Sequence, residues 1–214
     1  MTHTQPPERA AEENRALVAD DEPVADDLYL PSLNDGMTLL DVQGSRGVPA
    51  LQALVLDHLL MNDGTAFWTD AEGHATTSGL ARVAPSWRLL DRIQVARGFT
   101  PYQHFSLIAA NETIREDPST MPSLLVAPAI EAQYRDADGL STTQAETLLA
   151  RSMARLRQFA EAYDVPVIVT CRDPAGIGEL VETAADNHLT CEHTRVGPRF
   201  VGEEFETLVY PVGG

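Results

Sequence analysis

Residues 37–61 read MTLLDVQGSRGVPALQALVLDHLLM and indicate the fold class. Its first six residues are mostly apolar, which is typical of a strand in a parallel sheet that is covered on both faces. A turn with two glycines follows, and Pro49 then suits the first residue of a helix. In a doubly wound sheet, the turn between the first strand and the first helix is where phosphates bind. We therefore expect an α/β fold with this turn at the carboxyl edge of the sheet.

The rest of the chain repeats the alternation of short apolar runs and longer amphipathic stretches. Further strands are expected at residues 65–69, 92–96, 123–127 and 165–170, and helices at 49–61, near 77–83, at 101–115 and at 143–163. In the last helix, Thr143 and Glu146 form the sequence pattern of a capping box. Its apolar face comprises Leu148, Leu149, Leu156, Phe159 and Tyr163.

The two ends of the chain differ from this pattern. Residues 1–27 are rich in Glu, Asp and Ala, and we expect a flexible acidic tail there, followed by one α/β domain over residues 28–214. After residue 170 come a loop with Gly and Pro, a short helix to Ala185, and three short runs at 188–195, 199–201 and 205–210. These runs predict antiparallel strands at one edge of the sheet.

The charge balance excludes several classes of function. The 214 residues hold 32 acidic and 15 basic side chains, a formal net charge of −17, and every basic residue is arginine. Such a surface repels nucleic-acid backbones, and its composition is typical of a halophile that keeps molar salt in its cytoplasm. With two cysteines and no secretory signal in the N-terminal sequence, we expect a cytoplasmic protein. No apolar run approaches the roughly 18 residues of a membrane helix, so no membrane association is expected.

Several segments, in order and spacing, resemble the RadA branch of the RecA-fold recombinases. FWTDAEG (residues 67–73) is similar to that family's second strand and its Asp-x-Glu-Gly motif, and DRIQVARGF (91–99) to its third strand. SLLVAPAIEAQYRDADGLSTTQAE (123–146) resembles the Walker B strand with the start of a long helix, and QFAEAYDVPVIVTCR (158–172) the next strand. The resemblance implies a RecA-like P-loop NTPase fold: a mostly parallel central sheet with helices on both faces and a C-terminal antiparallel edge.

The phosphate-loop residues of that family are replaced in this chain. The vestigial loop comprises Gly44, Ser45, Arg46, Gly47, Val48, Pro49, Ala50 and Leu51. Pro49, Ala50 and Leu51 stand where the pattern requires glycine, the lysine that neutralises the β- and γ-phosphates, and the hydroxyl that binds Mg²⁺. The family's metal-binding Walker B aspartate falls at Pro128. The resemblance therefore implies a fold whose ATPase chemistry is lost, with no cofactor, or ATP held only weakly by the glycines and backbone amides.

Two carboxylates remain at the end of the second predicted strand. Glu72 matches the glutamate that positions the attacking water in the family, and Asp70 precedes it, while Cys171 and Arg172 stand at the sensor positions, usually Asn-Gln. Without a bound γ-phosphate Glu72 has no electrophile to serve. Both residues are therefore vestigial catalytic candidates, and the alternative is that they end the strand and cap the next segment.

Three further groups of residues could carry a function: a His/Cys cluster, two tryptophans and three arginines. His188, Cys191 and His193, with Cys171, form one weak cluster, and a structural zinc site needs more ligands, so we expect no metal. Trp68 and Trp87 are expected in the core or an interface. Arg151, Arg155 and Arg157 suit a solvated helix face or an interface with an acidic or phosphate-bearing partner.

The resulting hypothesis is a non-catalytic RadA/RecA-like homologue, a pseudo-ATPase that acts through protein partners in DNA recombination or repair. A RadA-like recombinase and a second copy of the chain are the partners considered, and LYLPSL (28–33) docks either on a partner or on its own domain. The loops at 173–178 and 186–188 are short and carry little positive charge, so direct DNA binding by this chain alone is not expected. The alternatives are a regulatory protein that binds ATP weakly and an unrelated enzyme that uses Asp70 and Glu72.

Overall fold

The computed structural model describes residues 30–33, 35–43, 48–110, 121–135, 137–195, 197–203 and 205–208. Within these ranges the chain forms one eight-stranded sheet with helices on both faces. None of the helices described there combines the length and the apolar character that crossing a membrane requires.

The sheet is mostly parallel and has the strand order β3-β2-β4-β5-β1-β6-β7-β8. The first six strands in this order pair in parallel, and β7 and β8 add an antiparallel edge. The strands are β1 (Met37–Val42), β2 (Thr65–Asp70), β3 (Ile93–Arg97), β4 (Pro122–Ala127), β5 (Val167–Thr170), β6 (Asn187–Thr194), β7 (Gly197–Val201) and β8 (Glu206–Leu208). The helices are α1 (Val48–Met61), α2 (Thr77–Val83), α3 (Trp87–Leu90), α4 (Pro101–Ala110), α5 (Thr142–Tyr163) and α6 (Glu179–Ala184).

Two apolar layers, one on each face of the sheet, form the core. Helices α4, α5 and α6 pack on one face, where α5 contributes buried side chains such as Leu149 and Phe159. Helices α1, α2 and α3 pack on the other face against Leu40, Trp68 and Ile168 of the sheet. Because side chains alternate between the faces of a strand, consecutive residues of β1 and β2 contribute to opposite layers.

The predicted strands and helices lie close to the observed ones, with four corrections. The first predicted antiparallel strand, now β6, pairs in parallel with β1 and only then turns into β7. Strand β3 is partly exposed instead of covered on both faces, because it lies at the edge of the sheet. The capping box of α5 is formed by Ser141 and Gln144, since the helix begins at Thr142, so the predicted Thr143–Glu146 pair is wrong. Helix α3 was not predicted.

The segment before β1 packs on its own fold. Pro31 is buried, and Leu30 and Leu33 lie against the layer formed by α1, α2 and α3. Of the two alternatives for LYLPSL, the described residues 30–33 therefore favour docking within the chain, while Leu28 and Tyr29 lie outside the described residues.

Candidate functional site at the carboxyl edge of the sheet

The ends of β1, β2, β4 and β5 surround a crevice of about 190 Å³. The side chains that carry chemistry there are Asp41, Glu72, His74, Cys171 and Arg172. This is the edge at which ligands bind in open α/β sheets. The crevice is small for a ligand pocket, whose usual volume is roughly 300–1,000 Å³.

The first turn of α1 borders this edge with apolar side chains. Ala50 and Leu51 are buried in the layer between α1 and the sheet, and Leu51 is only 1% exposed. Side chains at these two positions therefore contact the core. The preceding loop residues Gly44, Ser45, Arg46 and Gly47 lie outside the described residues, and Val48 and Pro49 begin the helix.

Asp70 is completely buried at the end of β2, and its carboxylate is fully engaged. One oxygen accepts hydrogen bonds from the Nε and a terminal nitrogen of Arg97, at 3.0 and 2.9 Å, and the other accepts from the backbone N–H of His74 at 2.9 Å. Burial alone would raise the pKa of Asp70, but the His74 ring, whose Nδ1 lies 3.7 Å from Oδ1, and these bonds outweigh it and lower the pKa to about 2. The side chain is thus ionised at neutral pH, and it joins β2 to β3 and holds the following turn.

Glu72 is paired across the crevice. Its Oε1 accepts a hydrogen bond from Arg172 at 2.8 Å, and the two side chains are 30% and 62% exposed, respectively. The pair joins the loop after β2 to the loop after β5. Glu72 therefore has a cationic partner on one of its two carboxylate oxygens.

The turn after β4 begins with Pro128, which is buried. The next residue, Ala129, has a φ of 45°, a backbone conformation that residues other than glycine rarely adopt. Its N–H donates to Thr170 Oγ1 at 2.8 Å, and the N–H of Ile130 donates to the Thr170 carbonyl at 3.1 Å. These bonds to β5 hold the turn in its unusual conformation.

The chain matches no family model. It matches no curated protein sequence either. What this edge can do therefore follows from its own residues, of which Glu72 and Arg172 are paired with each other.

Neither cysteine has the surroundings of a nucleophile. Burial, together with the nearby Glu131 carboxylate, raises the pKa of Cys171 to about 12, so the thiol stays protonated. Cys191 is buried on one face of β6, with His193 on the same side of the strand and His188 on the opposite side. Among the described residues, no group of three or more His, Cys, Asp or Glu side chains is placed to hold a metal ion.

The tryptophans and the arginines of α5, which the sequence also singled out, differ in burial and in pairing. Trp68 lies in the core, whereas Trp87 is largely exposed on α3. Arg157 of α5 pairs with Asp186 at 2.9 Å and joins the helix to the segment before β6, while Arg151 and Arg155 are exposed on the same helix.

A second surface feature, which the sequence did not indicate, runs along the β3 edge. Residues of β3 and α4 line a shallow groove of about 580 Å³, and a depression of about 240 Å³ adjoins it at Leu107 and Ala110. Phe99 is 74% exposed and Tyr102 61%, and Val95 is exposed nearby. Within the described part of the chain, β3 pairs only with β2, so its outer edge is open.

Proposed function

We propose that this protein is a non-catalytic RadA/RecA-like homologue, a pseudo-ATPase that acts through protein partners in DNA recombination or repair. The observation that carries the proposal is the apolar first turn of α1. Ala50 and Leu51 are buried core residues at the positions where the resembled family has its phosphate-binding lysine and Mg²⁺-binding hydroxyl. The apolar side chains of Ala50 and Leu51 offer neither a positive charge nor a hydroxyl group to a phosphate.

The pairing of the carboxylates supports the same proposal. Asp70 is engaged by Arg97 and His74, and Glu72 by Arg172. Asp70 could act as a general base only by giving up its buried bonds to Arg97 or His74, and one oxygen of Glu72 is bonded to Arg172. The geometry therefore favours the pseudo-ATPase over the unrelated enzyme.

The groove along β3 and α4 supports action through a protein partner. Monomeric soluble proteins usually cover or charge an open sheet edge, because its unpaired N–H and C=O groups invite another strand. Here the edge strand adjoins the exposed aromatic rings of Phe99 and Tyr102, and large aromatic side chains are enriched where proteins associate. We assign the partner surface to this groove, with a RadA-like recombinase or a second copy of the chain as its occupant.

The partner assignment is tested by replacing Phe99 and Tyr102 with serine. We expect the double variant to lose co-purification with the host's RadA-like recombinase, or to lose self-association in sedimentation, while its melting temperature stays nearly unchanged. Trp87→Ser is the matched control, since Trp87 is equally exposed on the other helical layer. Association that survives in the double variant, or that Trp87→Ser removes equally, would contradict the assignment of this surface.

A further inference from the structure

Residues 131–135 form the second part of the turn after β4 and contact the loops that follow three other strands. Gln133 Nε2 donates to the carbonyl of Ala71 at 2.8 Å and to that of Gly98 at 3.3 Å, which reach the ends of β2 and β3. Glu131 Oε1 accepts from the backbone N–H groups of Arg172 and Asp173, at 2.8 and 3.1 Å, after β5.

Arg135 adds further contacts to the loop after β5. It donates to the carbonyl of Ala175 at 3.1 Å and pairs with the Asp173 carboxylate at 3.3 Å. Ile130 and Tyr134 are buried in the core and fix the turn to the sheet, while its polar side chains contact the neighbouring loops. The turn thus bonds to its neighbours through Glu131, Gln133 and Arg135.

Two ion pairs complete the connections among the same loops. Asp70 with Arg97 joins the ends of β2 and β3, and Glu72 with Arg172 joins the loops after β2 and β5. Side-chain hydrogen bonds and ion pairs within the chain therefore connect the ends of β2, β3, β4 and β5. In a nucleotide-dependent switch, contacts to the γ-phosphate and its Mg²⁺ order such loops. Hydrolysis of the nucleotide removes these contacts and releases the loops.

We propose that residues 131–135 position the loops after β2, β3 and β5 in one arrangement that needs no bound nucleotide or metal ion. This inference rests on the proposed loss of the nucleotide site, and it adds the means by which the edge stays ordered. Glu131, Gln133 and Arg135 are positioning residues in this account.

Amide hydrogen exchange of the full chain in high salt, read by mass spectrometry, tests the proposal. Arg135→Gln is expected to speed exchange about tenfold in residues 171–178, and Gln133→Met to do so in residues 71–76, because each substitution removes the bonds that close that loop. Exchange in β4 and β5 should stay as in the unaltered protein. Arg151→Gln, on the exposed face of α5, is the control and should change neither loop.

Loop exchange that is unchanged in both variants would overturn the proposal. Exchange that rises equally in the core strands would also overturn it, because the bonds would then serve global stability and not loop position. Arg135 is partly exposed, so its variant decides the matter even where Gln133→Met folds poorly. Protection of the loops of the unaltered protein by millimolar MgATP is a separate result: it would overturn the proposed loss of nucleotide binding, whatever the variants show.

Discussion

His104 is a fully buried histidine in α4, and its ring belongs to a short chain of polar groups in the core. Its Nδ1 lies 3.0 Å from Tyr134 Oη, which lies 2.7 Å from Ser152 Oγ, and the Ser152 hydroxyl donates to the Leu148 carbonyl. Burial lowers the pKa of His104 to about 4, against the opposing field of Asp70. The histidine is therefore neutral in the folded protein at any pH well above 4.

Replacing His104 with glutamine is expected to flatten the acid side of the stability profile. An unfolded histidine takes up a proton near its ordinary pKa of 6.5, whereas folded His104 resists protonation until about pH 4. The unfolded state therefore binds more protons in this window, and the free energy of unfolding falls by about 3 kcal/mol as pH drops from 6.5 to 4. Denaturant melts at several pH values measure this slope, which should shrink in His104→Gln. The exposed His193→Gln is the control, and an equal slope in both variants would contradict the assignment.

Restoring a lysine at position 50 is expected to harm the fold without restoring chemistry. Ala50 lies in the apolar layer, so Ala50→Lys should lower the free energy of unfolding by about 1 kcal/mol or more. ATP hydrolysis should stay at background, because the lysine, the hydroxyl and the aspartate act as one unit in the resembled family. Ala150→Lys on the exposed face of α5 is the matched control for stability. ATP turnover gained by Ala50→Lys alone would show that the rest of the phosphate site is intact.

At the scale of elements, the sequence predicted most strands and helices because the apolar runs are short, regular and separated by turns. The capping residue of α5 was misplaced by two residues, since Ser141 and Thr143 are both good capping residues and each is followed three residues later by Gln or Glu. The pairing of β6 with β1 could not be predicted, because a strand's apolar pattern does not state the direction of its neighbours. The β3 edge was missed for a related reason: the apolar residues of IQVAR predict a strand of the parallel sheet, and only the strand order shows that this strand lies at the edge.

The capping box gives a direct test at this scale. Ser141 Oγ accepts from the N–H of Gln144, and the Gln144 side chain accepts from the N–H of Ser141 at 2.9 Å. Ser141→Ala should therefore lower the free energy of unfolding by about 1 kcal/mol. Thr143→Ala should be nearly neutral in the same denaturant melts, because Thr143 is exposed in the first turn. The reverse order of the two effects would place the start of the helix where the sequence pattern alone put it.

For the whole molecule, the sequence anticipated an α/β fold with a mostly parallel sheet, helices on both faces and an antiparallel C-terminal edge, and these features are confirmed. The candidate site was anticipated less completely. Sequence spacing placed Asp70 and Glu72 at the carboxyl edge, but their partners Arg97 and Arg172 come from segments 27 and 100 residues away. Pairings of that range depend on the tertiary fold.

The proposed loss of ATPase chemistry is tested by measuring Mg²⁺-dependent ATP hydrolysis by the purified chain in high salt. We predict no turnover above that of Glu72→Gln, since Ala50, Leu51 and Pro128 stand where the resembled family has the lysine and the hydroxyl of its phosphate loop and its metal-binding aspartate. The Glu72→Gln variant is the internal reference, because a contaminating ATPase would persist in it unchanged. Mg²⁺-dependent turnover that is present in the unaltered chain and lost in Glu72→Gln would contradict the account.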